Sequence, residues 1–345
     1  MKILALDLGK FKSVSCAFDT ETQATEFWTF STDRPYLQTL LRTQAPDLVV
    51  FEACSISGWV HDLCTAAGVA TIVANPNQEA WKWKNVKRKT DRDDALKLAR
   101  LAALGQLVPV HIPAVATREH RWLVKYRKTV VGRTGRVQNN IRALFAQHGL
   151  SLPAGARAWT AAGLEEIAGQ RRSLADCEID QLWRGQLDLE LDELQRLRDQ
   201  LRQLDRKLDQ LAAADARIAL LQTAPGVGRK TAEVVATHLD RPERFASARQ
   251  VSAYAGMVPR RWQSGQTDRT GGVTKRGSRL LRSALVECAW VALRYNPWAK
   301  ELFERLCQGQ KNRRKKAIVA VARKLLVRLW AMLRDNQPWR SAAPS

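Results

Sequence analysis

The chain has 345 residues, enough for two or three domains that each bury a core. It carries 56 Lys and Arg against 34 Asp and Glu, a formal net charge of +22, which predicts a polyanionic partner. Nucleic acid is the usual partner of such a chain, and an anionic membrane surface is the rival. No apolar run reaches the length of a membrane span, since the best candidate, AIVAVARKLLVRLWAML, is interrupted by Arg323, Lys324 and Arg328.

Two further classes of protein are disfavoured by local patterns. The N-terminal MKILALDLGKFK has too short an apolar core for a signal peptide. The six cysteines show neither a CxxC pair nor a Cys/His spacing, which argues against structural zinc and against a disulfide framework. Such cysteine usage is typical of a reducing cytosol.

The first hundred residues alternate between strand and helix patterns. Three β-prone runs come first, KILALDLG, SVSCAFDT and TEFWTFST, and the last two are joined by a hairpin turn at ETQ. A helix over about residues 35–43, the buried strand DLVVFEA, a helix over 59–67, the strand VATIVAN and a long helical region follow. This order predicts a mixed sheet with helices on its faces, the ribonuclease-H-like arrangement of α/β folds.

Carboxylates occur where that fold places its catalytic acids. Asp7 lies on the first strand, Glu52 at the end of the fourth, and Asp91 with Asp94 on the helix after the fifth. An unpaired acid inside an apolar run is costly, and a divalent cation relieves the repulsion between converging carboxylates. Oxygen ligands without His or Cys point to Mg²⁺ or Mn²⁺. We therefore predict a metal site made of these four acids.

Each acid also has a structural interpretation. Asp7 could form a strand-end turn and Glu52 could be an edge charge. In KTDRDDA, Thr90 or Asp91 could cap the helix, with Asp94 three residues on as in a capping box. We retain this cap as a second role of the stretch, and leave Asp93 out of the metal set because it faces another direction.

Positive charge is concentrated in two regions. Residues 81–147 hold 16 Lys and Arg against 4 acids, and residues 309–340 hold 10 against 1. Aromatic side chains accompany both regions, so that cations can contact phosphates while rings stack on bases. A charge run is more often a solvated face, but two such regions in a chain of this net charge favour nucleic acid.

The middle of the chain is helical, and from Leu187 to Leu211 leucines recur at near-heptad spacing. The stripe predicts a coiled coil or helical hairpin, within one chain or between protomers. Next, LLQTAPGVGRKTAEVVATHL predicts two helices joined at PGVG, where the backbone N–H groups opening the second helix can hold a phosphate. This is a helix-hairpin-helix type of DNA contact, and equally a common way to join two helices.

Between Pro259 and Gly277 the chain is polar, glycine-rich and basic without apolar periodicity, which predicts a loop. Ser264 lies within it, close to several cations. Such a serine is usually a turn residue; the alternative is a nucleophile that attacks a DNA phosphate while the cations stabilise the developing charge. No Ser-His-Asp set is visible in the sequence, so activation of the hydrolase type is not supported. The residues expected to contact nucleic acid are Lys87, Arg88, Lys89, Gly226, Gly228, Arg229, Lys230, Arg260, Arg261, Arg269, Lys275, Arg276, Arg313, Arg314, Lys315 and Lys316.

Taken together, LDLG, VFEA and KTDRDDA in the first half, with PGVG followed by TA, ARQVSAYAGMVPR, SG and TKRG in the second, resemble the IS110 family of insertion-sequence transposases. These are DEDD recombinases related to Piv-type DNA invertases, and the resemblance runs from Met1 to about Leu333. It implies a RuvC-like domain over 1–150, a helical coiled-coil connector over 151–213 and a mainly helical transposase domain over 214–340.

The resemblance also implies roles for particular residues. Asp7, Glu52, Asp91 and Asp94 would be the DEDD set binding Mg²⁺, and Ser264 would form a covalent phosphoserine link to DNA. The family often has more than one serine at this Ser-Gly, whereas here Gln263 precedes Ser264; Ser278, after TKRG, is a second candidate. Family members act as multimers with composite sites, and characterised ones are guided by a structured bridge RNA. A prokaryotic cytoplasmic protein associated with the nucleoid is expected.

Two other functions stay open from the sequence. A RuvC-like nuclease or junction resolvase would use the metal to activate water, with Ser264 as scaffold. A non-catalytic nucleic-acid-binding protein would use its acids structurally. A tyrosine recombinase fits poorly, because Tyr254 lies in an apolar helix without the usual Arg/His constellation.

Overall fold

The computed structural model describes residues 1–76, 90–265 and 267–340. It forms two compact units, Met1–Val115 and Ala116–Ser345. The helix that ends at Gln147 lies mainly in the second unit, so the boundary between the two units is not at residue 150. The segments 1–150, 151–213 and 214–340 stay a prediction of functional domains. No helix in the described part of the chain is both long and apolar enough to cross a membrane.

The first unit is a five-stranded mixed sheet flanked by helices, as predicted. Strand order is β3-β2-β1-β4-β5; β1 pairs with β2 and β2 with β3 antiparallel, whereas β1–β4 and β4–β5 are parallel. Its elements are β1 Lys2–Asp7, β2 Lys12–Asp19, β3 Thr25–Ser31, α1 Arg34–Gln44, β4 Leu48–Glu52, α2 Ser57–Ala66, β5 Ala70–Ala74 and α3 Asp91–Ala103.

Alternation along the strands divides the core of this unit into two layers. Ile3 and Ala5 of β1 pack with Val50 of β4 against the apolar stripe of α3. The residues between them point the other way and pack against α1 and α2. Because successive strand side chains face opposite sides, the odd positions of β1 and the even positions of β4 lie on the α3 side.

The second unit begins with a pair of long helices. Its helices are α4 Val115–Gln147, α5 Ala161–Ala168, α6 Leu182–Ala213, α7 Ala216–Gln222, α8 Arg229–Leu239, α9 Ala248–Tyr254, α10 Arg279–Tyr295, α11 Pro297–Cys307 and α12 Arg314–Asp335. Arg127 pairs with Asp205 and Arg133 with Glu193, so α4 and α6 run antiparallel. The leucine stripe of α6 is buried against α4, from Leu187 to Leu197, and this arrangement is the helical hairpin within one chain.

The remaining helices α7 to α12 share one apolar core, built largely on α10 and α12. From this helical body projects a two-stranded antiparallel hairpin, β6 Pro259–Ser264 and β7 Thr267–Val273. The prediction of a loop over 259–277 is therefore wrong for most of its length. Apolar alternation marks a strand only when one face is buried, and every residue of β6 is exposed.

Candidate functional site

The predicted acids of the first unit share one face of the sheet. Asp7 ends β1 and Glu52 ends β4, immediately after the parallel pair Leu6 and Phe51. Asp7 continues the series Ile3 and Ala5, and Glu52 follows Val50 by two residues, so both carboxylates lie on the α3 side at the carboxyl ends of neighbouring strands. Neighbouring strands are about 4.8 Å apart, which places two like charges close together.

The start of α3 carries the other two acids, and of these Asp94 lies on the same face. Asp94 is 8% exposed and precedes the buried Ala95 and Leu98, so it lies on the stripe that packs against the sheet. Asp91 is one turn earlier on this stripe and is exposed. Asp7, Glu52 and Asp94 each already have an interaction partner in the protein.

Thr90 caps α3, as one of the two predicted alternatives, but its capping-box partner is Asp93 and not Asp94. The Thr90 hydroxyl accepts from the Asp93 N–H at 3.2 Å, and the Asp93 carboxylate accepts from the Thr90 backbone N–H at 3.0 Å. The side-chain hydrogen bond from Thr90 lowers the pKa of Asp93. With Thr90 as N-cap, the third helical residue is Asp93, which explains why Asp94 turns inward and Asp93 outward.

Among the residues that the structure describes, no three His, Cys, Asp or Glu side chains form a ready-made metal cluster. This does not conflict with Mg²⁺ chemistry, because Mg²⁺ is commonly held by one or two carboxylates together with water and substrate phosphates. The donors offered by Asp7 and Glu52 are oxygens on adjacent strand ends. The oxygens of Asp7 and Glu52 therefore fit a divalent cation that binds together with a phosphate.

In the second unit Ser264 is the last residue of β6, exposed at the turn of the hairpin and paired with Thr267. Gly265 follows with φ +53°, a conformation that favours glycine. Arg261 is held by Asp268 at 2.6 Å across the two strands, and this ion pair lowers the pKa of Asp268. The hairpin presents Ser264 to solvent, with the exposed Arg269 two residues beyond its partner Thr267 on β7. Arg260, also exposed, lies at the opposite end of β6.

A serine–histidine contact in this unit was missed in the sequence. His238 Nε2 lies 2.9 Å from Ser278 Oγ, although the two residues are 40 positions apart. His238 Nδ1 is 2.8 Å from the Val234 carbonyl, which stands where a triad would have a carboxylate. No spacing rule predicts this contact, since it arises from the packing of the end of α8 against the start of α10.

The PGVG turn is built for close packing. Gly226 has φ +88°, and a Cβ there would lie 2.7 Å from Ala292 Cα. Gly228 caps α8 without a side-chain hydrogen bond, and a Cβ there would meet nothing within 4 Å. The turn thus leaves the N-terminus of α8 open at Gly228, as phosphate contact requires.

The predicted cations differ in their surroundings. Arg229 is engaged by Asp209 at 2.8 Å and by Glu233 at 3.3 Å, which ties it to its own unit. Lys230 is 59% exposed. At the start of α12, residues 313–316 are exposed, and the first turn contains no acid. Residues 87–89 lie outside the described residues.

Comparison with known proteins identifies the family. A family model described as "Transposase IS116/IS110/IS902 family" matches residues 218–304, and a model of the DEDD transposase domain of IS110 elements matches residues 4–149. The transposase y4rJ of Sinorhizobium fredii is 30% identical over 315 residues, covering 83% of this chain and 76% of that protein. The chain belongs to the IS110 family of transposases.

Two further relatives show the range of the family. The transposase for insertion sequence element IS1111A of Coxiella burnetii is 27% identical over 351 residues, 99% of this chain and 92% of the relative. The pilin gene-inverting protein of Moraxella bovis is 32% identical over 154 residues, 43% of this chain and 48% of the relative. The resemblance found in the sequence is confirmed, and the chain is an insertion-sequence transposase by family.

The two family models coincide with the candidate sites. The DEDD match, residues 4–149, includes Asp7, Glu52, Asp91 and Asp94, and DEDD transposase domains generally depend on a divalent metal. The second match, residues 218–304, includes the PGVG turn and the whole β6–β7 hairpin.

Proposed function

We propose that this IS110-family transposase cuts and rejoins DNA strands through a covalent bond between Ser264 and a DNA phosphate. The observation that carries the proposal is the place of Ser264, exposed at the turn of a hairpin that projects from the helical body among cations. A nucleophile must reach a phosphodiester inside a DNA groove or junction, and a projecting hairpin supplies that reach.

The proposed chemistry conserves the phosphodiester bond energy. The Ser264 oxygen attacks phosphorus and loses its proton, an Oγ–P bond forms, and the deoxyribose oxygen leaves as a hydroxyl. In the second step the hydroxyl of another strand attacks the same phosphorus, and Ser264 is released with a proton. Arg269, the exposed cation nearest to Ser264 in the strand register, stabilises the charge on the phosphate oxygens during both steps. No external energy source enters this balance.

The acids of the first unit would hold a divalent cation, Mg²⁺ or Mn²⁺, which would supply positive charge to a phosphate oxygen when bound. Asp7 and Glu52 offer oxygen donors from neighbouring strand ends, and Asp94 with Asp91 adds donors from α3. We propose that residues 1–150 form the metal-binding domain, residues 151–213 the connector, and residues 214–340 the domain that carries Ser264.

The partners we propose are the DNA ends and target of the element, a structured guide RNA, and further copies of this chain. The two strongly basic regions, 81–147 and 309–340, leave room for two polyanions. Because the protein would act on DNA, we propose that it functions in the prokaryotic cytoplasm, at the nucleoid.

The second candidate is a metal-dependent nuclease that resembles RuvC. It is favoured by Asp7, Glu52 and Asp94, which lie on the side of the sheet that packs against α3, in the unit that does not contain Ser264. In that case water attacks the phosphate, and the hairpin serves only to bind DNA.

An adduct assay tests the proposal. The full chain is incubated with Mg²⁺, DNA carrying the joined ends of the element and RNA from its flanking non-coding region, then denatured and resolved by electrophoresis. A protein–DNA band is expected for the parent and for Thr270→Ala, which removes another exposed hydroxyl of the same hairpin, but not for Ser264→Ala. Nicked DNA without a band, persisting in Ser264→Ala, would support the nuclease. Binding without any cleavage, unchanged by Asp7→Asn, would support a binding protein.

A further inference from the structure

The hairpin that carries Ser264 is joined to the helical body by two short segments, residues 255–258 before β6 and 274–278 after β7. They are hydrogen-bonded to each other: Thr274 N–H donates to the Val258 carbonyl at 2.8 Å, and Lys275 N–H donates to the Gly256 carbonyl at 3.0 Å. We call these two segments the hairpin base. Because β6 is exposed throughout, the hairpin base largely sets the direction in which Ser264 points.

The hairpin base is packed without spare room. A Cβ at Gly256 would lie 1.9 Å from the Arg276 carbonyl oxygen, and one at Gly277 would lie 2.1 Å from the Tyr254 carbonyl oxygen. Lys275 has φ +56°, a left-handed conformation that a lysine rarely adopts. Such strain persists only where the surroundings over-determine the backbone, and it is concentrated at functional sites.

Ser278, at the end of the hairpin base, is bound to a buried histidine. His238 is 4% exposed, and its Nδ1 faces the Val234 carbonyl, which only accepts, so Nδ1 carries the proton. His238 Nε2 is then an acceptor, and the Ser278 hydroxyl donates to it at 2.9 Å. The same hydroxyl oxygen accepts from Leu281 N–H at 3.2 Å and so caps α10.

The contact between His238 and Ser278 is better suited to anchoring the hairpin base than to nucleophilic attack by Ser278. The Ser278 oxygen is already used by both His238 and the first turn of α10. Burial, reinforced by the charge of Arg121, lowers the pKa of His238 to about 4, far from the value near neutrality that suits a general base. A second hydrogen bond also ties His238 to the hairpin base: the Tyr254 hydroxyl, directly before residue 255, donates to the His238 carbonyl at 3.0 Å.

We propose that His238 and Ser278 are positioning residues that fix the hairpin base and thereby aim Ser264 at the DNA phosphate. The inference rests on the proposed function of Ser264. It assigns no chemical step to His238 or Ser278. It predicts that loosening the pair lowers the rate of adduct formation and leaves DNA affinity nearly unchanged, because the cations that bind DNA are retained.

The test combines amide hydrogen exchange with the adduct assay on the full chain. In Ser278→Ala, the amides of Thr274 and Lys275 should exchange about five- to tenfold faster, as expected for the loss of one hydrogen-bonded anchor. The rate of adduct formation should fall about tenfold, because Ser264 is less well oriented toward the phosphate. The dissociation constant for DNA should change by less than about twofold, because the cations that bind DNA are retained. His238→Phe should act in the same way, and adding it to Ser278→Ala should change the exchange little further.

Two matched variants separate positioning from general loss of stability. Thr160→Ala removes the hydroxyl that caps α5 and should leave the hairpin base unchanged. Ser278→Asn keeps a cap and offers an amide donor to His238, so it should restore slow exchange and adduct formation.

The outcomes also separate this inference from the function on which it rests. Faster exchange in Ser278→Ala, with no Ser264 adduct in the parent protein, would support the anchor and reject the proposed nucleophile. A Ser264 adduct in the parent, with exchange and rate unchanged in Ser278→Ala, would overturn the anchor alone. An adduct mapped to Ser278 by mass spectrometry would overturn the positioning role outright.

Discussion

Acidification should destabilise the second unit through His238 in particular. Burial and the charge of Arg121 lower the pKa of this imidazole from 6.5 to about 4 in the folded chain. A group with a depressed folded pKa contributes stability that is complete above the unfolded value and is lost as pH falls toward the folded value. The pH window is therefore between about 6.5 and 4.

The size of the effect follows from linkage. At pH 5 the unfolded chain holds nearly one proton on His238, whereas the folded chain holds almost none, which lowers the free energy of unfolding by about 2 kcal/mol relative to pH 8. Below pH 4 the loss approaches about 3 kcal/mol. The side chain is 4% exposed, so solvent screening reduces these values little.

The assay compares the parent with His238→Phe, which cannot take up a proton. Urea unfolding is measured by circular dichroism at pH 8 and pH 5. If the two units unfold separately, the transition of the second unit is the one whose midpoint changes in His238→Phe. The parent should lose about 2 kcal/mol more than the variant over this interval. In parallel, the imidazole ¹⁵N signals of the parent are titrated, and the signal missing in His238→Phe should keep the Nδ1–H pattern down to about pH 5. Equal losses in parent and variant, or a midpoint above pH 6, would refute the reasoning.

Three further outcomes are expected. Leu194→Ala, at a position 1% exposed between α4 and α6, should lower the free energy of unfolding by about 3 kcal/mol in urea, whereas Leu189→Ala, 57% exposed on the same helix, should change it by less than about 0.5 kcal/mol. Thr90→Ala should lower the stability of the first unit by about 1 kcal/mol in thermal unfolding, and Thr90→Ser should preserve it, because the capping box needs only a hydroxyl. The affinity for DNA should fall steeply with salt; replacing one cation of residues 314–316 by Ala should reduce the slope of log K against log salt by about 1, and an unchanged slope would remove the start of α12 from the binding surface.

Most of the first unit could be predicted from the sequence. The strands β1, β2 and β4 are short, largely buried apolar runs, and such runs indicate both the length and the burial of a strand. Gly9, which ends the first run, is required in the structure, because a Cβ there would lie 2.1 Å from the Lys12 carbonyl oxygen. The face shared by Asp7 and Glu52 follows from the same two-residue period.

The second unit shows where sequence reasoning stops. The β6–β7 hairpin has no buried face, so its strands leave no apolar alternation, and it was predicted as a loop. The contact between His238 and Ser278 depends on how α8 packs against α10, which no local pattern encodes. The sequence interpretation makes Asp94 the capping-box residue, whereas in the structure Asp93 has that place. Because of this difference of one residue, Asp94 and not Asp93 faces the sheet.

Each unit concentrates charge of one sign in one place. Asp7 and Glu52 gather negative charge on one sheet face of the first unit, while residues 313–316 place cations at the positive end of the α12 dipole, with no acid in the first turn. The cation cluster at residues 313–316 opposes the dipole of α12 in the free protein. A bound phosphodiester would compensate these cations, and Asp7 and Glu52 would hold a divalent cation, which would supply positive charge at the sheet face. The free protein thus gives up stability at the start of α12, and a complex with nucleic acid would recover it, as expected if these cations serve nucleic-acid binding and not folding.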